Sequence, residues 1–120
     1  MADYVQYMLA LASNGAPLAR VERVDSWWAQ GIGVLGRRAL PVGEGMWFPG
    51  VASIHTCFVA FPLDILFLSS DLSVLAVLPG VPPWRPLVRC PGAAHTIELG
   101  AGTLAVPLVH IGDAVLLEPQ

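Results

Sequence analysis

The sequence contains no lysine. Its six basic residues are all arginine and face nine acidic ones, for a formal net charge of −3. Such a chain has no basic stripe with which to neutralise a row of phosphates, so nucleic acid is not among the expected partners. The arginines fall in three pairs, Arg20 with Arg23, Arg37 with Arg38, and Arg85 with Arg89. Each pair reads as solvated, ion-pairing surface or as a site of carboxylate recognition. Cysteine is scarce too: Cys57 and Cys90 are spaced for neither a zinc site nor a C-x-x-C redox pair, and free thiols are expected. The chain also lacks a G-x-S-x-G elbow, an H-E-x-x-H helix and a phosphate-binding P-loop, which removes the common catalytic devices. No cofactor and no metal is assigned on these grounds.

Long apolar runs are missing although the composition is 55% hydrophobic. The longest uncharged stretch, Gly45 to Leu63, is interrupted by Pro49, Gly50, His55 and Pro62 and cannot be a transmembrane helix. The apolar stretch Tyr4 to Ala12 is preceded by Asp3, where an export signal carries Lys or Arg, so a cytoplasmic location is expected.

What is present is one domain's worth of chain, 120 residues, with 12 Gly and 11 Pro cutting the apolar residues into short pieces. Tyr4 to Ala12 and Leu18 to Val24 flank Asn14-Gly15, the dipeptide of a type I′ turn, which predicts an opening hairpin over 4–24. Asp25 or Ser26 caps an expected short helix over 26–38, with Trp28, Ile32 and Leu35 as its apolar stripe and Pro41 beyond its end. Six β-like runs follow: Met46 to Phe48, Ser53 to Ala60, Leu63 to Leu68, Ser73 to Leu78, Ala94 to Leu99 and Ala114 to Glu118. Their regular spacing predicts a mainly β core over 46–118, a barrel-like or sandwich domain. Leu63 to Leu68 and Val74 to Leu78 are apolar on nearly every residue, as strands covered on both faces are. Pro79 to Pro91, with Pro82, Pro83 and Pro86, reads as a stiff connection.

Three ionisable residues stand inside or beside these apolar runs. Alternation through Ser53 to Val59 places Ser53, His55, Cys57 and Val59 on one face. Asp64 opens an apolar strand and Glu98 interrupts another, and a buried carboxylate there needs donors or a cation. A structural hydrogen-bond network is the plain reading; a polar pocket or a metal site on His55, Asp64 and Glu98 is the functional one. The G-x-G-x-x-G at Gly31 to Gly36 lacks the preceding strand and the long following helix of a nucleotide-binding turn, and is read as close packing. Trp84, in Pro83-Trp84-Arg85-Pro86, is the best surface aromatic of the four tryptophans.

The order of the pieces is similar to that of a known family. Gly33-Val34-Leu35-Gly36-Arg37, Gly45-Met46-Trp47-Phe48, Ile54-His55-Thr56, Phe61-Pro62-Leu63-Asp64-Ile65-Leu66-Phe67-Leu68, Pro83-Trp84-Arg85, Ile97-Glu98-Leu99 with Gly102, and Gly112-Asp113 together resemble the prokaryotic domain-of-unknown-function family 192. The resemblance runs from about Leu18 to Leu117. It implies a small, mainly β, barrel-like domain with one short helix and no settled activity. Its polar positions fall on Arg37, His55, Thr56, Asp64, Arg85, Glu98 and Asp113. Gln30 replaces a basic residue of the family pattern and Val59 a methionine.

The expected function is a non-enzymatic binding or accessory module, a monomer or small homo-oligomer. It would hold a small polar ligand or a protein partner in a pocket formed by Arg37, His55, Thr56, Asp64, Trp84, Arg85, Glu98 and Asp113. A metal-assisted hydrolase using His55, Asp64 and Glu98 is the enzymatic alternative. A scaffolding component of an envelope or secretion apparatus is the structural one.

Overall fold

The computed structural model describes residues 4–25, 39–105 and 109–120. Among them are nine strands: β1 Tyr4–Leu11, β2 Pro17–Val24, β3 Glu44–Pro49, β4 Ser53–Ile54, β5 Leu63–Leu68, β6 Val74–Val81, β7 Val88–Arg89, β8 His95–Gly100 and β9 Val115–Pro119. Seven form one curled half-barrel sheet in the order β6-β5-β8-β3-β2-β1-β9, and β4 pairs with β7 in a two-stranded ribbon. The domain is mainly β, as the spacing of the runs predicts. The expected helix over 26–38 lies outside the described residues, as do Arg37 and the glycine triplet.

β1 and β2 form the antiparallel hairpin expected of the first 24 residues. Its turn differs from type I′. Gly15 alone of the Asn14-Gly15 pair has a positive φ, and the Asn14 side chain instead accepts the Ala16 amide at 2.9 Å. The loop therefore spans 12–16, the longer hairpin connection that ends on a left-handed glycine. β2 and β3 run parallel, so the chain between them must cross over the sheet rather than turn back.

β5 is buried at all six positions, because β6 and β8 flank it and apolar clusters cover both of its faces. One cluster centres on Leu9, Val21, Leu66, Ile97 and Leu99. The other centres on Met46, Phe48, Leu63, Ile65 and Phe67. β6 is equally apolar in sequence but forms a sheet edge, half-exposed along most of its length. Its start is tied to the far side of the sheet, where Ser73 bridges Ala114 and the Val74 amide donates to the Asp113 carbonyl. Residues 79–81 extend β6, and β7 arises from residues 88–89. The proline-rich connection is thus shorter than its composition suggests, confined to the loop between those strands.

Gly45 sits where β3 passes between β2 and β8. A Cβ there would overlap the carbonyl oxygen of Glu98 and the side chain of Leu99. Gly45→Ala is expected to lower stability by about 2 kcal/mol, the scale of overpacking in a close-packed interior. Urea unfolding checks this, and a midpoint equal to wild type contradicts it.

Candidate functional site

Thr56 is fully buried, in the loop that follows β4. Its amide donates to the Arg85 carbonyl at 2.9 Å, and its carbonyl accepts the amides of Trp84 at 2.9 Å and Val59 at 3.2 Å. Its hydroxyl donates to the Pro82 carbonyl at 2.7 Å and accepts the Arg85 amide at 2.9 Å. One threonine thus satisfies the backbone of two loops, 55–59 and 82–86, that are far apart in sequence. Proline at 82 and 83 helps, since neither has an amide hydrogen that would need another partner.

The two loops present aromatic side chains outward. Phe58 is 74% exposed and Trp84 60% exposed. Their rings meet edge to face, with centroids 4.7 Å apart. Both residues hold left-handed backbone, with φ of 65° and 67°, a conformation that costs a bulky residue on the order of 1–3 kcal/mol. Leu87, 62% exposed, and the exposed Arg85 and Arg89 continue the rim. Between the end of β6 and β7 runs a groove of about 590 Å³, with Leu78, Gly80, Val81, Arg85, Leu87 and Arg89 among its walls.

Asp64 lies on the sheet behind this groove. Its carboxylate accepts the Gly80 amide at 2.8 Å, the Leu104 amide at 2.9 Å and the Gly102 amide at 3.1 Å. It is a strut that ties the end of β6 to the turn over 101–105. Glu98 is opposite Ile65 on β5 and Met46 on β3, one residue out of phase with Asp64, so the two carboxyl groups point to opposite faces of the sheet. Glu98 is 5% exposed, and its Oε1 has no hydrogen-bond partner among the described residues. Burial pushes its carboxyl up to about 8.

The structure therefore divides the expected pocket. His55, Thr56, Trp84 and Arg85 come together at the two-loop rim, with His55 exposed there. Alternation does not continue through Ser53 to Val59, because β4 ends at Ile54. Asp64 is spent on backbone amides, and Glu98 lies on the other face of the sheet from it, beside Met46 and Ile65. Asp113 caps the His110 amide at 2.8 Å beside the start of β6, roughly 20 Å from the rim by strand rise. His55, Asp64 and Glu98 do not converge, and no group of three metal-binding side chains exists among the described residues.

A second cluster escaped the sequence reading. The Trp47 indole donates to His95 Nδ1 at 3.1 Å, Tyr7 packs edge-on against Trp47 at 5.0 Å, and the Arg23 guanidinium stacks over the indole at 5.1 Å. Burial and the Arg23 charge hold the His95 imidazole below its ordinary range. These residues sit on four separate strands, β1, β2, β3 and β8, and meet across the parallel β2–β3 pairing, so only the register reveals them.

Two outcomes follow from this geometry. Thr56→Val keeps the shape and removes the hydroxyl, leaving Pro82 and Arg85 without partners, at a cost of about 1–3 kcal/mol. Amide exchange at Arg85 should accelerate at least tenfold while Leu66 stays protected; unchanged exchange at Arg85 contradicts the role given to Thr56. Folded Glu98 keeps its proton up to about pH 8, whereas the unfolded chain releases it near its ordinary value. Wild-type stability should therefore fall by a few kcal/mol between pH 5 and pH 8, where the unfolded state holds fewer protons. Glu98→Gln should flatten that slope in pH-dependent urea unfolding, and an equal slope in both proteins counts against a neutral buried Glu98.

Two solved structures share this architecture. A Sinorhizobium meliloti 1021 protein, provisionally described as a transcription regulator, aligns with a TM-score of 0.82 and 25% identity over 98% of this chain and 97% of its own. A Novosphingobium aromaticivorans protein of unknown function aligns with a TM-score of 0.79 and 24% identity over 94% of this chain and 84% of its own. No curated protein matches. No helix among the described residues is long and apolar enough to cross a membrane. The DUF192 family model, described as Uncharacterized ACR, matches residues 9–117, and the chain belongs to that family.

Proposed function

We propose that this chain is a non-enzymatic binding module whose contact surface is the rim of Phe58, Trp84 and Leu87, and whose ligand is a segment of a partner protein. The observation that carries this is the Phe58–Trp84 pair, two large apolar side chains held in solvent on left-handed backbone by the hydrogen bonds of Thr56. A fold gains no core packing from such side chains, and strained backbone concentrates where a surface is used. Rigid aromatics lose little conformational freedom on binding and act as anchors at interfaces. Catalysis has no comparable support. Asp64 is saturated by backbone amides, and Glu98 lies across the sheet from it.

Nucleic acid is a poor fit to this rim. Arg23 is paired with Asp25 at 2.8 Å, and Arg20 sits opposite Glu44 across the parallel pair. Among the described residues Arg85 and Arg89 then supply two charges, too few for a phosphate track.

Selection of a random eight-residue peptide display library on the full chain tests the reading. Binders should lose at least tenfold in affinity for the Phe58→Asn, Trp84→Asn double variant. Asparagine tolerates the left-handed region, so that variant should unfold at a urea concentration no lower than wild type. Binders indifferent to the variant would place the binding surface elsewhere.

A further inference from the structure

Resting on the binding-module reading, we infer that the groove between the end of β6 and β7 takes an extended acidic peptide segment of the partner. A carboxylate of that segment engages Arg85 and Arg89, and an adjacent bulky apolar side chain packs on Trp84 and Leu87. The sign of the groove is the first support. Two arginines and no acidic residue line it, and neither Arg85 nor Arg89 has an ion-pair partner among the described residues. In a chain of net charge −3 this is a local inversion, and charge complementarity of that kind selects partners. Asp64, which accepts the amide of the groove residue Gly80, forms no ion pair with either arginine among the described residues; both of its oxygens accept backbone amides.

The walls give the second support. Leu78, Val81 and Leu87 make the groove apolar between the charges, and Pro79 and Pro82 offer no amide hydrogens there. A fully charged segment would leave that floor uncovered, and a fully apolar one would bury two guanidinium groups unpaired, which is costly. A carboxylate beside an aromatic or branched aliphatic residue satisfies both. Guanidinium forks bind carboxylates in a planar, two-point geometry, which suits arginine over the absent lysine. At about 590 Å³ the groove has the size of ordinary ligand sites. β6 and β7 bound it as strands, so an extended segment follows it.

The test uses the full chain and the peptides selected above, with affinities read by fluorescence anisotropy. Enriched sequences should place Asp or Glu next to Phe, Trp or Leu. Replacing those carboxylates by carboxamides should weaken binding about tenfold, as loss of a charge-assisted hydrogen bond does. Arg85→Gln with Arg89→Gln, two exposed positions that the fold tolerates, should weaken it by a similar factor. The carboxamide peptide should then bind wild type and the arginine variant alike. If peptides depend on Phe58 and Trp84 but not on their own carboxylates, the acidic class is overturned while the rim remains a binding surface. If no sequence is enriched, or enriched peptides ignore both variants, the binding-module reading itself fails.

Discussion

The hydroxyl of Thr56 donates to the Pro82 carbonyl and accepts the Arg85 amide, while the backbone of the same residue exchanges hydrogen bonds with Trp84 and Arg85. Two loops separated by more than twenty positions are therefore held as one surface by a side chain of three heavy atoms. Their conformation follows from it. Phe58 and Trp84 adopt left-handed backbone that neither would take in a free loop, and the strain persists because the surrounding bonds over-determine it. The aromatic edge-to-face contact offsets part of that cost, on the order of 1 kcal/mol.

The sheet beneath serves this rim mechanically. Asp64 links the end of β6, which walls the groove, to the turn over 101–105 through three amides. That turn is in turn locked to the loop before β3, where the Thr103 hydroxyl accepts the Gly43 amide at 2.9 Å. A buried carboxylate with three donors needs no cation, so Asp64 reads as architecture. Glu98, with one oxygen unpartnered in an apolar setting, is the opposite case: it avoids the cost of a buried charge by keeping its proton.

Much of the fold was legible because it rests on local chemistry. Leu63 to Leu68 is a strand on apolar content alone, and it is buried throughout. Asn14-Gly15 marks a hairpin, although the Asn14 side chain chose a longer turn. β7 was hidden by the prolines around Val88-Arg89, since composition describes a stretch and not the two residues that pair within it. The sequence expects His55-Thr56 and Trp84-Arg85 in one pocket, but it does not show what joins them, which is Thr56 bonding across the gap between the two loops. Asp64 and Glu98 look equivalent as lone carboxyl groups in apolar strands. Only the register of β5 on β8 sends them to opposite faces. Likewise, Tyr7, Arg23, Trp47 and His95 meet through the parallel pairing of β2 and β3, which no local pattern announces.

The half-barrel thus supports a small, preorganised, apolar and cationic edge on an otherwise acidic protein. Intermolecular nuclear Overhauser contacts in the complex with the tightest selected peptide test that claim most directly. The expected result is contact from the Phe58 and Trp84 rings to an apolar peptide side chain, with the flanking peptide carboxylate beside the Arg85 and Arg89 side chains. Contacts confined to the polar hollow lined by Gln6, Glu22 and Glu44 would contradict it.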